Sequence, residues 1–398
     1  MRNKDMMLSK KAQYGQDIDI DDYGTGSYMP EKIKNMEDAP SDMKDRMLNV
    51  GVVPGRENRA GTVLFIDNGP SHISSSTEDV EMMPVREAAK KYDLSEYLWE
   101  AVDPDKDKYT SKTYLEDSDG YFIRIKAGKK IKDPVQTCML INHNKRMQNV
   151  HNIIIVEENA SAEIITGCTT SKNAEESLHI GVSETFVKDG GSLTFSMIHN
   201  WGESTHVRPR SAAVLGKNAR YVSNYVLLNK IGSIQSMPAV YLNGEGASVR
   251  LNSICISHEG SDIDMGGLVQ LNAPDTGAEI ISRSITLGGK MITRGKLSGN
   301  AQGVRAHLEC RSLVLNDGGF TLAIPELEST FVDAEMTHEA AVGKIARDQI
   351  EYLMIRGLTE DEAAGMIVRG FLEGGIKGLP DRLKKDIDNA LNKADLGS

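Results

Sequence analysis

From about Tyr121 to Leu322, apolar and polar positions alternate with a period of two. The runs YFIRI, HNIIIVEE, SAEIIT, SLTFSMI, SVRLNSICI, AEIISRSITL and RAHLECRSLVL are rich in Ile, Val, Thr and Ser. Such alternation puts successive side chains on opposite faces of a strand, and small turn residues punctuate the runs. The turns themselves recur as ENASAEI, DGGSLTF, KNARYVS, EGASVRL and TGAEIIS. Their second residues, Asn159, Gly190, Asn218, Gly246 and Gly277, stand 31, 28, 28 and 31 apart. A small or apolar residue follows three positions later each time: Ala162, Leu193, Tyr221, Val249 and Ile280. A quasi-period near 30 with no helix between the strands reads as a solenoid, each repeat one coil. Evenly spaced hairpins of a β-sandwich would leave a related pattern, so that arrangement stays open from the residues alone.

Outside this stretch the pattern changes. Residues 1–110 are polar and irregular, with short helical signals; the best is Asp79–Glu100, where Val85, Ala88, Ala89 and Tyr92 have helical spacing. Asp17–Gly26 (DIDIDDYGTG) is acidic enough for a calcium loop but lacks the closing Glu, and reads as a solvated loop. From Ala340 the period turns helical. Ile345, Ile350, Leu353 and Met354 share one face; Thr359 opens a second helix with Glu362 as its capping-box partner. Ala363, Met366, Ile367 and Phe371 give that helix its apolar face, Gly374–Gly375 stops it, and a last helix follows near Asp381–Lys393. The chain therefore divides into an N-terminal mixed and helical region over 1–110, a β-helix core over 111–335 and a C-terminal helical domain over 336–398. The fold class is mainly β.

Composition narrows the function. Lys+Arg 46 against Asp+Glu 57 gives a net charge of −11, which disfavours nucleic acid and anionic membranes as principal partners. No apolar run approaches the ~20 residues of a membrane span, and the N-terminus has no apolar stretch of signal-peptide length. A soluble, cytoplasmic protein is expected. The four cysteines, Cys138, Cys168, Cys255 and Cys310, are far apart and form no CxxC, which argues against both a disulfide framework and a ferredoxin-type cluster motif. AGKK at Ala127 lacks the leading Gly and the Ser/Thr of a phosphate-binding loop, and there is no GxGxxG, so flavin has no support.

One constellation carries chemistry. In VRAHLECRSLVL, alternation groups Ala306, Leu308 and Cys310 on one face. His338–Glu339 follows Cys310 by 28 residues, one coil if the period continues, which would make the two neighbours. Cys, His and Glu together suit iron. The plain alternative is a core cysteine and a surface helix start.

The residues also resemble a known family. MTHEAAVGKIARDQIEYLMIRGLTEDEAAGMIVRGF, from Met336 to Phe371, is similar to the C-terminal signature of the SufB/SufD family of iron–sulfur assembly scaffolds. GCTT at Gly167, LHIGVSETFVKDGGSLTFSMIHNW at Leu178 and ECRSLVLND at Glu309 match SufB segments in order and approximate spacing. The resemblance implies a right-handed parallel β-helix and a C-terminal helical hairpin that docks a SufC-like ABC-type ATPase. It implies a cluster site, transient and of the 4Fe–4S type, at Cys310, His338 and Glu339; SufD-like members have His-Gly in place of His-Glu. It implies that Cys168 receives sulfur, with Asn142, His199 and Trp201 along a route through the helix interior. His199 stands where SufB members often have Gln, and Leu140 where they have Arg. Cys138 and Cys255 match no family role and read as structural.

The compact length fits a two-component system in which a homodimer replaces the SufB–SufD pair, giving a complex of two scaffold and two ATPase chains. The expected function is a scaffold, without its own catalytic nucleotide site, on which clusters are built with sulfur from a donor and passed to recipient apoproteins, in a complex whose ATPase dimerises on ATP and so exposes the cluster site. The alternative is a structural, SufD-like subunit that carries no cluster. A polysaccharide-acting β-helix would want clustered carboxylates on exposed strands, and none stands out.

Overall fold

The computed structural model describes residues 4–26, 30–55 and 58–373. The expected helix near Asp381–Lys393 and the Gly374–Gly375 stop lie outside them. The described chain is a parallel β-helix of about eight coils. Its first sheet runs edge to edge through Gly61–Ile66, Val135–Ile141, Ser161–Thr170, Ser192–Asn200, Arg220–Leu227, Ser248–His258, Gly277–Leu287, Arg305–Val314 and Glu335–Gly343. These strands pair in parallel; Gly69–Ser75 adds one antiparallel strand at the start. The second sheet faces it and ends with Lys290–Gly299 and Phe320–Ser329.

The repeat has a physical basis at one corner. Asn159, Gly190, Asn218, Gly246, Asp275 and Gly303 all adopt left-handed φ, between 53° and 70°. This column has intervals of 31, 28, 28, 29 and 28 residues. The fifth corner residue is thus Asp275 and not Gly277, because Asp tolerates this conformation and sits at the true turn. Side chains and gaps alternate along the column. A Cβ on Gly190, Gly246 or Gly303 would lie 2.4, 2.5 and 2.5 Å from the Oδ1 of Asn159, Asn218 and Asp275 respectively. Each amide or carboxylate fills the space that the next glycine leaves. The columns continue outside the corner: Asn300 Nδ2 donates to Asn272 Oδ1 at 2.8 Å, and Asn272 Nδ2 to Asn243 Oδ1 at 2.9 Å.

Inside the coils, Val63, Met139, Ile164, Leu193, Leu227, Leu251, Ile280 and Leu308 belong to one continuous apolar core. A second cluster lies on the outer face of the first sheet. There Met47, Val50 and Val52 from the N-terminal region cover Leu64, Cys138 and Leu140, while Val368 and Leu372 pack with Ile254, Ile256 and Ile285.

The N-terminal region holds more β structure than its polarity suggested. Gly61–Ile66, Gly69–Ser75 and Val80–Pro84 are strands, and helix is confined to Val85–Lys91 within the expected Asp79–Glu100. Those strands are short, and GTVLFI is buried on both faces, so it shows no period-two signal. Asp17–Gly26 is not simply solvated: Ile18, Ile20 and Tyr23 are buried against Tyr109, Met147, Leu178 and Ile180. At the other end, strand continues through Glu335–Gly343, and helix begins only at Arg347–Ile355, followed by Glu360–Glu373. The capping box is present: Thr359 N–H donates to Glu362 Oε2 at 2.8 Å, and Glu362 N–H to Thr359 Oγ1 at 3.3 Å. The buried face of that helix is Ala363, Ala364, Val368 and Leu372; Met366, expected on it, is exposed. No helix among the described residues is long and apolar enough to cross a membrane.

The corner column yields a test. Gly246→Ala adds a Cβ to a left-handed residue and drives it into Asn218, which costs about 1–3 kcal/mol. Urea unfolding is expected to shift to lower denaturant by the corresponding amount; an unchanged midpoint would contradict the column.

Candidate functional site

Strand register decides which side chains meet. In parallel pairing, matched residues face the same side. One inward row runs Thr137, Thr166, Met197, Tyr225, Ser253, Ser282, Cys310 and Ala340. The row beside it runs Met139, Cys168, His199, Leu227, Cys255, Ser284 and Ser312. From Cys168 this second row has the corner's own intervals, so it could have been read from the sequence by stepping along the turns.

Cys310 points inward as expected and is fully buried. Burial pushes its thiol up to about 11, against the lowering influence of a Ser282 hydrogen bond and the Arg283 charge. The expected neighbour is displaced. The last coil steps by 30 residues, not 28, so Cys310 pairs with Ala340, and His338 with Leu308. His338 and Glu339 lie in a strand, not at a helix start. His338 shares the inward side, but is exposed because no further described coil covers it. Glu339 pairs with Glu309 on the outward side, where Arg311 Nη2 holds its Oε1 at 2.6 Å. Within one chain, Cys310 and Glu339 therefore face opposite sides of the sheet. Among the described residues, no three His, Cys, Asp or Glu side chains converge as a metal site.

The interior does gather Cys168, His199 and Trp201. Cys168 and His199 are register partners. Tyr225 Oη lies 2.7 Å from His199 Nδ1, and the His179 ring packs against Trp201 at 4.9 Å between centroids, tilted by 36°. His179 Nδ1 is in turn 2.9 Å from Gln148 Oε1. His199 Nε2 and Trp201 Nε1 are buried with no partner. An unpaired buried N–H is costly, so these atoms mark where a polar guest would be stabilised. Burial holds His199 well below the usual imidazole range, lowers His179 to about 3, and raises the Cys168 thiol.

Asn142 stands apart, just beyond Val135–Ile141. Its backbone N–H donates to Asp67 Oδ1 at 2.9 Å and its carbonyl accepts from Ser171 Oγ at 3.0 Å. Leu140, where the family resemblance leads one to expect Arg, is buried in the outer apolar cluster, an environment without room for a charge. Cys168 and Cys310 are not in contact: five coil steps separate their strands, roughly 24 Å at ~4.8 Å per step. Cys255 lies in the same row as Cys168, three steps along, its thiol raised by burial to about 12. Sequence reasoning passed over Tyr225, His179 and Arg283, because no short motif marks them.

This is a parallel β-helix whose last coil buries one cysteine beside an exposed His-Glu strand and whose interior holds a second thiol among imidazoles and an indole. The SUF system FeS cluster assembly SufBD core domain matches residues 139–371. An iron–sulfur cluster assembly SufBD family protein of Methanothermobacter thermautotrophicus is 41% identical over 98% of this chain and 97% of its own length. One from Archaeoglobus fulgidus is 41% identical over 88% of the chain and 95% of its own. The iron–sulfur cluster assembly protein SufB of Bacillus subtilis is 34% identical over 72% of the chain and 62% of its own. The chain belongs to the SufBD family of iron–sulfur cluster assembly proteins.

The buried imidazoles make stability pH-dependent. Unfolded histidines take up protons near 6.5, whereas folded His179 does so only near 3. The stability they contribute is complete above about 6.5 and is lost as pH falls toward 3, by up to about 1.4 kcal/mol per pH unit for each His. Unfolding free energy is expected to drop between pH 7 and 5, with a shallower slope in His179→Gln. An equal slope in the variant would contradict the assignment.

Proposed function

We propose that this chain is a scaffold on which iron–sulfur clusters are assembled and released, with Cys310 as its principal ligand and His338 and Glu339 completing the set. The observation that carries this is the position of Cys310: a buried thiol one strand from the end of the solenoid, beside the His-Glu strand. The raised thiol keeps Cys310 protonated at neutral pH, so a metal must displace its proton and holds only while the site is open. That suits a cluster carried transiently.

The end of the solenoid, which no further coil covers among the described residues, supports a homodimer. Phe320–Ser329 and Glu335–Gly343 are edge strands with exposed Phe320, Leu322 and Val342, and an edge of this kind calls for a cover. A second copy there brings two Cys310 and two His-Glu pairs together, enough ligands for a cluster that one chain cannot hold. The helical hairpin supports an ATPase partner: Tyr352, Met354, Ile355 and Met366 are exposed on it. The chain has no phosphate-binding loop of its own, so a SufC-like ATPase supplies nucleotide energy, one on each scaffold copy. Cys168, with the unpaired groups of His199 and Trp201, is the sulfur entry point; Asn142, which stands apart from them, has no contact among the described residues that supports its expected place on the route.

One observation favours a second reading, the structural SufD-like subunit: Glu339 faces away from Cys310 in the isolated chain. Anaerobic reconstitution with iron and sulfide separates the two. The scaffold reading expects a cluster in wild type, seen by absorption and Mössbauer spectra, that falls at least tenfold in Cys310→Ala. An unchanged cluster in Cys310→Ala, or none in wild type with the ATPase present, would reject it. The homodimer is checked by light scattering: Phe320→Glu with Leu322→Glu is expected to yield monomers, and a persistent dimer would place the interface elsewhere.

A further inference from the structure

The outer face of the first sheet carries a chain of contacts that joins the C-terminal helix to Glu339. Phe371, on helix Glu360–Glu373, lies under the Arg283 guanidinium, 5.7 Å from ring centroid to Cζ. Arg283 is almost fully buried, and its Nη2 donates to Glu309 Oε1 at 2.7 Å. The same oxygen accepts from Arg311 Nε, also at 2.7 Å. Arg311 then reaches on through Nη2 to Glu339 Oε1 at 2.6 Å. Three neighbouring strands and one helix are thus tied through a single line of alternating charge.

We propose that this line is a latch: it holds Glu339 on the outer face, away from Cys310, and docking of the C-terminal helix keeps it closed. The inference rests on the reading of Glu339 as a cluster ligand. The physical argument is directional. Among the described residues Glu335–Gly343 pairs in its sheet with Arg305–Val314 alone, so it is the strand freest to peel. The side-chain tie from Arg311 to Glu339 adds to its backbone ladder. At the other end, the helix keeps water off Arg283 and Glu309, whose side chains are only 5% and 13% exposed. Lifting the helix would admit water and weaken the buried Arg283–Glu309 pair, and with it the hold of Glu309 on Arg311, whose pair with Glu339 is already half exposed. The terminal strand would then be free to peel from Arg305–Val314, which would uncover Cys310 and release Glu339 from the outer face while leaving His338 beside it. Arg283 and Arg311 are positioning residues in this scheme, and Phe371 is the helix's hand on them.

The test is read on the full chain without iron, by hydrogen exchange of residues 335–343 and by the rate at which N-ethylmaleimide labels Cys310. Arg311→Gln is expected to raise both at least tenfold. Phe371→Leu keeps an apolar side chain on the helix but removes the ring from Arg283. It is expected to raise both at least threefold, although Phe371 touches neither Glu339 nor Cys310. The double variant should be no more than twofold faster than Arg311→Gln alone, since one line is being opened. Two results would overturn the latch: wild-type rates in Phe371→Leu, or a double variant whose increase is the product of the two. A Cys310→Ala chain that still builds a cluster would sink the reading of the site while leaving these rates as they are.

Discussion

The structure depends on strand register at the corner of each coil. Left-handed Asn, Asp and Gly residues stack in one column, and each polar side chain fills the gap above a glycine. A slip of one residue at any corner would send every inward side chain of the next strand outward. The column therefore fixes more than the outline of the solenoid. It aligns Cys168, His199, Leu227 and Cys255 in one interior row, and places Cys310 in the row beside it. It also sets Glu339 on the opposite side from Cys310, because consecutive residues of a strand must alternate.

Much of this was legible in the sequence, and the exceptions have physical causes. The period near 30, the inward face of Cys310 and the Thr359–Glu362 cap follow from turn chemistry and alternation, which act over a few residues. The final coil was misjudged because its step lengthens to 30, and nothing in Glu335–Gly343 announces the change. Its residues sit at an open end, where one face has no core to enforce an apolar pattern, so the strand looked like the start of a helix. The N-terminal strands were missed for the opposite reason: GTVLFI is buried on both sides and does not alternate. Contacts between distant segments, such as Tyr225 with His199 or Arg283 with Phe371, become visible only once the coils are stacked.

Burial is the common theme of the candidate chemistry. All four thiols are buried, and desolvation raises each of them. The imidazoles beside Cys168 are held neutral by the same effect. A protein that must handle sulfur and iron without losing them to solvent gains from keeping these groups protonated and covered until a partner acts. The cost is that the resting chain does not assemble its own ligand set. On the proposed reading, the missing elements are a second copy at the end that no further described coil covers and a movement of the last strand.

The account's central claim is that one cluster is shared between two copies through Cys310. A dimer purified with two different affinity tags, one chain wild type and the other Cys310→Ala, tests it most directly. After anaerobic reconstitution, iron and sulfide bound per dimer are measured beside the wild-type dimer. Sharing predicts that the mixed dimer holds almost none, since a single cysteine cannot complete the site. A mixed dimer that holds half the wild-type amount would show that each chain builds its own cluster, and would contradict the account.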